Sequence, residues 1–138
     1  MKEIVILDAC ALIAALREEQ GVETVVRLME RSAADEISLR MTRVNLLEVY
    51  YDSIKRLGLR HAHDFLDKMQ ENPIEIIPEI SDDALREAGR LKASYRISLA
   101  DSIGLAEAYV NDGLFVTADH HELDIIEQNE SIKFLWIR

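Results

Sequence analysis

Four acidic residues interrupt the apolar pattern of this sequence. Asp8 directly follows the run Ile4-Val5-Ile6-Leu7, and Asp119 comes just after Leu114-Phe115-Val116-Thr117. Glu48 sits between Leu47 and Val49, and Asp101 precedes Leu105 and Ala108 at helical spacing. That spacing puts Asp101 on the apolar face of a helix. A carboxylate facing a core is costly unless it is paired or ligates a metal. Taken singly, each acid has an ordinary reading: Asp8 as a loop residue, Asp119 as a helix cap, Glu48 and Asp101 as partners of an arginine or of water. If the four converge, mutual repulsion raises their pKa values unless cations neutralise them. Hard oxygen ligands suit Mg²⁺ or Mn²⁺ better than Zn²⁺ or Cu. Two such ions about 3.5–4 Å apart activate water and stabilise both oxygens of an in-line phosphoryl displacement. The chemistry indicated is hydrolysis of a phosphodiester by metal-activated water.

The elements that must position these acids follow from periodicity and punctuation. Residues 4–7, 36–39, 74–77, 114–117 and 132–137 read as short strands, several of them β-branched and without polar alternation. Helices are expected over 11–19, 22–34, from Thr42 to about 56, 60–70, 83–95, 99–111 and 122–128. Thr42 and Ser98 are candidate N-caps, Gly58 and Gly113 lie just past helix ends, and Asn72-Pro73 marks a break. Strands alternating with helices predict a three-layer α/β/α fold with a mostly parallel central sheet. Active groups in such folds gather at the carboxyl ends of the strands, where Asp8 and Asp119 fall.

Composition sets the remaining bounds. The chain has 138 residues, which predicts one domain over 1–138. Hydrophobic residues make up 49% and there are only 5 Gly and 2 Pro, which excludes a disordered chain. The single Cys10 excludes a disulfide framework or a Cys-rich metal site. No apolar run approaches the roughly 20 residues of a membrane span, and the N-terminal apolar run is too short for a signal peptide. A cytoplasmic protein with no membrane association is therefore expected. Sixteen Lys plus Arg against 26 Asp plus Glu give a net charge of −10. That balance argues against unselective binding to nucleic acid, but not against a nucleic-acid enzyme whose acids gather around cations.

The segments Ile-Val-Ile-Leu-Asp8-Ala-Cys-Ala, Asn-Leu-Leu-Glu48-Val-Tyr-Tyr, Ser-Leu-Ala-Asp101-Ser-Ile-Gly-Leu-Ala and Phe-Val-Thr-Ala-Asp119-His-His-Glu resemble the PIN-domain family, and within it the VapC-type toxins of toxin–antitoxin pairs. Their order and spacing cover nearly the whole chain. The resemblance implies a Mg²⁺- or Mn²⁺-dependent endoribonuclease acting on RNA, a cognate antitoxin that covers the site, and a homodimer. By position, Asp8, Glu48, Asp101 and Asp119 match the family's acidic quartet, and Thr117 its small hydroxyl residue. Asp8 and Asp101 are then expected to bind the main metal directly. Glu48 would act through water and Asp119 would complete a second site, with Glu122 and Asp124 close enough to supplement it.

Other signals are weaker. His120 and His121 are adjacent and cannot face one way on a helix, so solvent-facing or capping roles are expected. His61 and His63 are read as structural, and Cys10 as a small buried helix residue. Arg40 and Arg43 flank the start of the Glu48 helix, either holding phosphates or merely solvating it. Arg86, Arg90, Lys92 and Arg96 read as a soluble face. Surplus apolar residues over 22–29 and 44–51, with Ile54, favour a protein partner. Two competing functions remain. One is an aspartate-nucleophile phosphatase, which needs an acid where Cys10 stands. The other is a metal-silent PIN-like module that only binds protein.

Overall fold

A computed structural model describes residues 1–138. Five strands, β1 (Glu3–Leu7), β2 (Ile37–Thr42), β3 (Glu75–Ile77), β4 (Leu114–Thr117) and β5 (Lys133–Trp136), form one sheet in the order β3-β2-β1-β4-β5. All four pairings are parallel. Seven helices connect them: α1 (Ala9–Leu16), α2 (Val22–Ala33), α3 (Arg43–Leu57), α4 (Leu59–Met69), α5 (Asp82–Ser94), α6 (Leu99–Val110) and α7 (His120–Asn129). The expected three-layer α/β/α architecture is therefore the observed one. No helix is long and apolar enough to cross a membrane.

The buried runs that mark the strands serve two cores at once. On β1, Val5 and Leu7 pack with Leu12, Val25, Leu39, Val49 and Met69 on the α1–α4 side. Ile6 points the other way, to Leu91, Leu105, Phe115, Leu123 and Ile126 on the α5–α7 side. A strand buried on both faces has no polar alternation, which is why these strands read as unbroken apolar runs. A third, smaller cluster seats Ala84 and Ala88 of α5 on Ile103 and Ala106 of α6.

Several element boundaries differ from expectation, each for a local reason. Helix α1 starts at Ala9 rather than Ala11 because Asp8 is itself the N-cap, and it ends at Leu16 ahead of Glu18, whose φ is 55°. Helix α7 starts at His120 because Asp119 caps it. Strand β2 runs on to Thr42 because Arg40, Met41 and Thr42 pair with Glu75, Ile76 and Ile77 of β3. Thr42 and Ser98 cap α3 and α6 as expected, accepting the N–H groups of Asn45 and Asp101.

The chain end is held against the α1–α2 turn. Gly21 has φ 100°, and a Cβ built there would lie 2.6 Å from the Ile137 carbonyl oxygen. This close approach brings Arg138 alongside Glu19 and Gln20. Gly21→Ala meets both a left-handed backbone and a backbone clash. It is expected to lower unfolding stability by about 1–3 kcal/mol, read by denaturant titration.

Candidate metal centre

The strand order makes the site. β1 and β4 are neighbours, Leu7 is in register with Val116, and the Asp8 N–H donates to the Val116 carbonyl at 3.1 Å. The chain leaves β1 toward one side of the sheet and β4 toward the other, so their carboxyl ends flank a switch-point crevice. Asp8 lies at its base, 1% exposed. Its Oδ1 accepts the Ala11 N–H at 2.8 Å, capping α1, while its Oδ2 is buried with no hydrogen-bond partner. Asp119 donates its N–H to Thr117 Oγ1 at 3.1 Å and accepts the Glu122 N–H at 3.2 Å. Asp101, in the first turn of α6, is 9% exposed, and its N–H donates to Ser98 Oγ at 3.1 Å. Glu122 reaches from α7 to α6 and accepts the Ser98 backbone N–H.

Carboxylate oxygens of Asp101, Asp119 and Glu122 all lie within 4.8 Å of one another. Glu48, from α3, lines the same cleft of about 470 Å³. Two arginines also line this cleft, yet both are engaged elsewhere. Arg17 makes a two-point bond to Asp52 at 2.8 and 3.1 Å, and Arg138 lies 3.4 Å from Glu19. None of Asp8, Glu48, Asp101, Asp119 or Glu122 takes part in an ion pair. The built-in compensation comes from neutral groups: the hydroxyls of Thr117 and Ser98, and the N-terminal ends of α1, α6 and α7, where partial positive charge concentrates beside Asp8, Asp101 and Asp119.

That compensation is incomplete. Burial pushes the Asp8 carboxyl up to about 7, against the lowering effect of the Thr117 hydroxyl and the Ala11 N–H. Burial, then the charges of Asp8 and Glu122, push Asp101 up to about 8. Glu48 is raised by burial and by Glu122. A buried oxygen without a donor, beside several carboxylates without a cation, fits a divalent ion held by hard oxygen ligands. Mg²⁺ and Mn²⁺ have that chemistry.

Of the four acids singled out in the sequence, Glu48, Asp101 and Asp119 line one cleft, and Asp8 is buried beneath it. The tightest group, however, pairs Asp101 and Asp119 with Glu122, while Glu48 stands on the cleft wall and Asp8 below. Glu122 was expected only as a supplement; its signal, an acid three residues after a cap, also describes an ordinary capping box. Asp124 turns away and pairs with His120 at 2.7 Å. His120 also bonds the Arg138 carbonyl oxygen at 2.8 Å and stacks on Trp136, so its role is to tie down the chain end. Arg40 is not near the acids. It belongs to β2 and meets Glu75 at 3.5 Å, so it neither holds phosphates there nor opens α3. Arg43 is exposed beside the apolar groove of Val44, Leu47 and Ile80. Cys10 is half-buried on the cleft wall, its thiol pushed up to about 11 by burial and by Asp8, which keeps it neutral. Glu107, buried but remote from the crevice, was missed; it bonds Asn111 within α6.

A doubly wound parallel sheet with a knot of carboxylates at its switch point places the chain among α/β proteins whose site lies at the carboxyl ends of the strands. Within that class the chain belongs to the PIN domain family, whose model matches residues 5–127. Solved structures share the fold. The DNA-bound VapBC complex of Salmonella typhimurium superposes with a TM-score of 0.73 at 14% identity, covering 100% of both chains. VapBC2 of Rickettsia felis, bound to a DNA fragment from its promoter, gives 0.73 at 16% identity over 96% of this chain and 97% of that one. Mycobacterium tuberculosis VapC20, described as a sarcin–ricin loop cleaving toxin, gives 0.64 at 15% identity over 88% and 94%. No curated protein matches the chain significantly.

The raised carboxyls make a pH prediction for the metal-free chain. An acid whose pKa is higher folded than unfolded holds its proton more tightly in the native state. Its stabilising protonation is present at low pH and is lost as pH rises from the ordinary 3.8 through about 7 for Asp8 and about 8 for Asp101. In EDTA, stability should fall between pH 5 and pH 8, read by melting temperature. Asp8→Asn keeps the N-cap but removes the charge, and should raise stability at pH 8 by up to about 4 kcal/mol, at 1.36 kcal/mol per pKa unit.

Proposed function

We propose that this chain is a divalent-metal-dependent endoribonuclease and the toxin of a toxin–antitoxin pair, acting in the cytoplasm as one nuclease domain over residues 1–138. The observation that carries the reading is the absence of any cationic side chain on the acid cluster, although Arg17 and Arg138 line the same cleft. Asp101, Asp119 and Glu122 would hold the ion, with Asp8 offering its free Oδ2 from below. A bound Mg²⁺ or Mn²⁺ would supply Lewis acidity toward a phosphodiester oxygen and acidify the attacking water. Glu48, on the cleft wall, orients that water and takes up its proton at a carboxylate oxygen. The Ser98 N–H and the Thr117 hydroxyl fix Glu122 and Asp119, so the ligands are set before the ion arrives.

RNA is the favoured substrate because a fold neighbour, VapC20, is described as cleaving the sarcin–ricin loop. An antitoxin partner is supported by neighbours described as VapBC or toxin–antitoxin complexes. It is also supported by exposed Leu47, Tyr51, Ile80 and Leu99, which leave apolar surface for an antitoxin or a second copy of this chain. The metal-silent and phosphatase readings find no observation in their favour, and the phosphatase position is held by Cys10.

Mn²⁺ should raise the melting temperature of the wild-type chain and support cleavage of RNA. Asp101→Asn should abolish most of that rise and lower cleavage by more than the roughly 10–100-fold typical of changes outside the ligand set. A wild-type chain whose melting is indifferent to Mn²⁺, or an Asp101→Asn variant that cleaves like wild type, would sink the proposal.

A further inference from the structure

The cations read from sequence as one soluble face divide into two kinds. Arg86 meets Asp83 at 3.6 Å, and Arg90 bridges Glu87 and Glu130, the latter at 2.6 Å. Lys92 and Arg96 make no ion pair and no side-chain hydrogen bond, and both are exposed. They line an open cleft of about 670 Å³ between the end of α5 and the start of α6. Ser98 and Glu122 line that cleft and also the acid-lined cleft, so the two adjoin across these residues.

Lys92 and Arg96 are among seven lysines and arginines outside any ion pair, and they are the ones that line a cleft bordering the acid cluster. Most of the chain's cations are tied to acids, and the metal cleft itself has no unpaired one. The negative potential of −10 must nevertheless be overcome wherever an RNA backbone lies beside the acid cluster. The dipole at the end of α5 accounts for a lysine in its last turn, but not for Arg96, which lies beyond the helix. Tyr95 stands between them with its hydroxyl tied to Glu130, giving the cleft a fixed aromatic wall.

We propose that the Lys92–Arg96 cleft receives the phosphates of single-stranded RNA on one side of the bond to be cut. The inference rests on the nuclease reading above, and it names the track by which that site engages its substrate. Phosphate contacts of this kind position the strand without reading its sequence.

The test compares two double variants that remove the same charge. Lys92→Gln with Arg96→Gln neutralises the cleft, and Arg27→Gln with Lys68→Gln neutralises two exposed, unpaired cations outside it. Binding is read by anisotropy of fluorescein-labelled, mixed-sequence single-stranded RNA, on an Asp101→Asn background so that the RNA survives. The cleft variant should bind about tenfold more weakly at low salt, with a log–log salt slope shallower by about 1.4, at 0.7 per phosphate contact. The control pair should change affinity by less than about twofold. With Asp101 restored, the cleft variant should show a raised KM for RNA cleavage while keeping the Mn²⁺-linked rise in melting temperature, which a folding defect would not spare. Equal weakening by both pairs overturns the proposal, since only overall charge would then matter. Unchanged RNA binding by the cleft variant also overturns it. If the wild-type chain cleaves no RNA in Mn²⁺, the nuclease reading fails and this inference falls with it.

Discussion

Negative charge that no arginine neutralises is the constraint around which this chain is organised. Like-charged carboxylates gathered in one cleft repel one another, and burial of Asp8 and Asp101 removes much of the solvent that would screen them. Folded proteins ordinarily resolve this with a guanidinium, and here two are within the same cleft. Each is drawn off by another acid, Arg17 by Asp52 and Arg138 by Glu19. The rim acids Asp52 and Glu19 thus keep these cations off the acid cluster. What the protein supplies in their place is weaker and fixed: three helix N-termini aimed at one crevice.

Topology makes that convergence unavoidable. In the order β3-β2-β1-β4-β5 the two central strands end beside each other, so the residues that follow them must share a rim. Helix α6 then has to lie close enough to bring Asp101 to the same rim, with α3 beside it carrying Glu48. Gly104 allows this. A methyl group there would come within 2.9 Å of Asn45 Nδ2 on α3 and 3.1 Å of the Phe115 ring on β4. The closeness of α3 and α6 is thus set by a missing side chain, and the distance across the cleft depends on it.

The legible part of the site was the part that violated a pattern. Asp8 and Asp119 end apolar strands, and Glu48 and Asp101 break apolar helix faces, so each announced itself locally. Glu122 did not, because an acid near the start of a polar helix breaks no rule. Its placement depends on reaching the Ser98 N–H of another helix, which only the folded chain supplies. The same limit explains the strand that was read too short. Arg40, Met41 and Thr42 are extended because β3 pairs with them from more than thirty residues away. It also explains why sequence leaves Arg40 at the start of a helix, open to phosphate or to water: only the pairing with β3 shows it to be a strand residue facing Glu75. Fold class was legible because alternating strands and helices are a repeated local signal. Partner choice among charged side chains is not, because any of several opposite charges would satisfy each one.

The same electrostatics tie stability to function. Without a cation, the crevice favours protonated acids, so the native state is strained at neutral pH in proportion to how well its ligands are assembled. A ligand that binds only the folded chain returns stability as RT ln(1 + [L]/Kd), about 2.7 kcal/mol at a hundredfold excess over Kd. That is comparable with the penalty carried by one raised carboxyl. Substitutions that relax the crevice therefore make the empty chain sturdier and the ion weaker in one step. Under this constraint the acid cluster cannot be optimised for the metal-free fold, and the nuclease proposed above would recover in ion binding what its empty crevice gives up in stability.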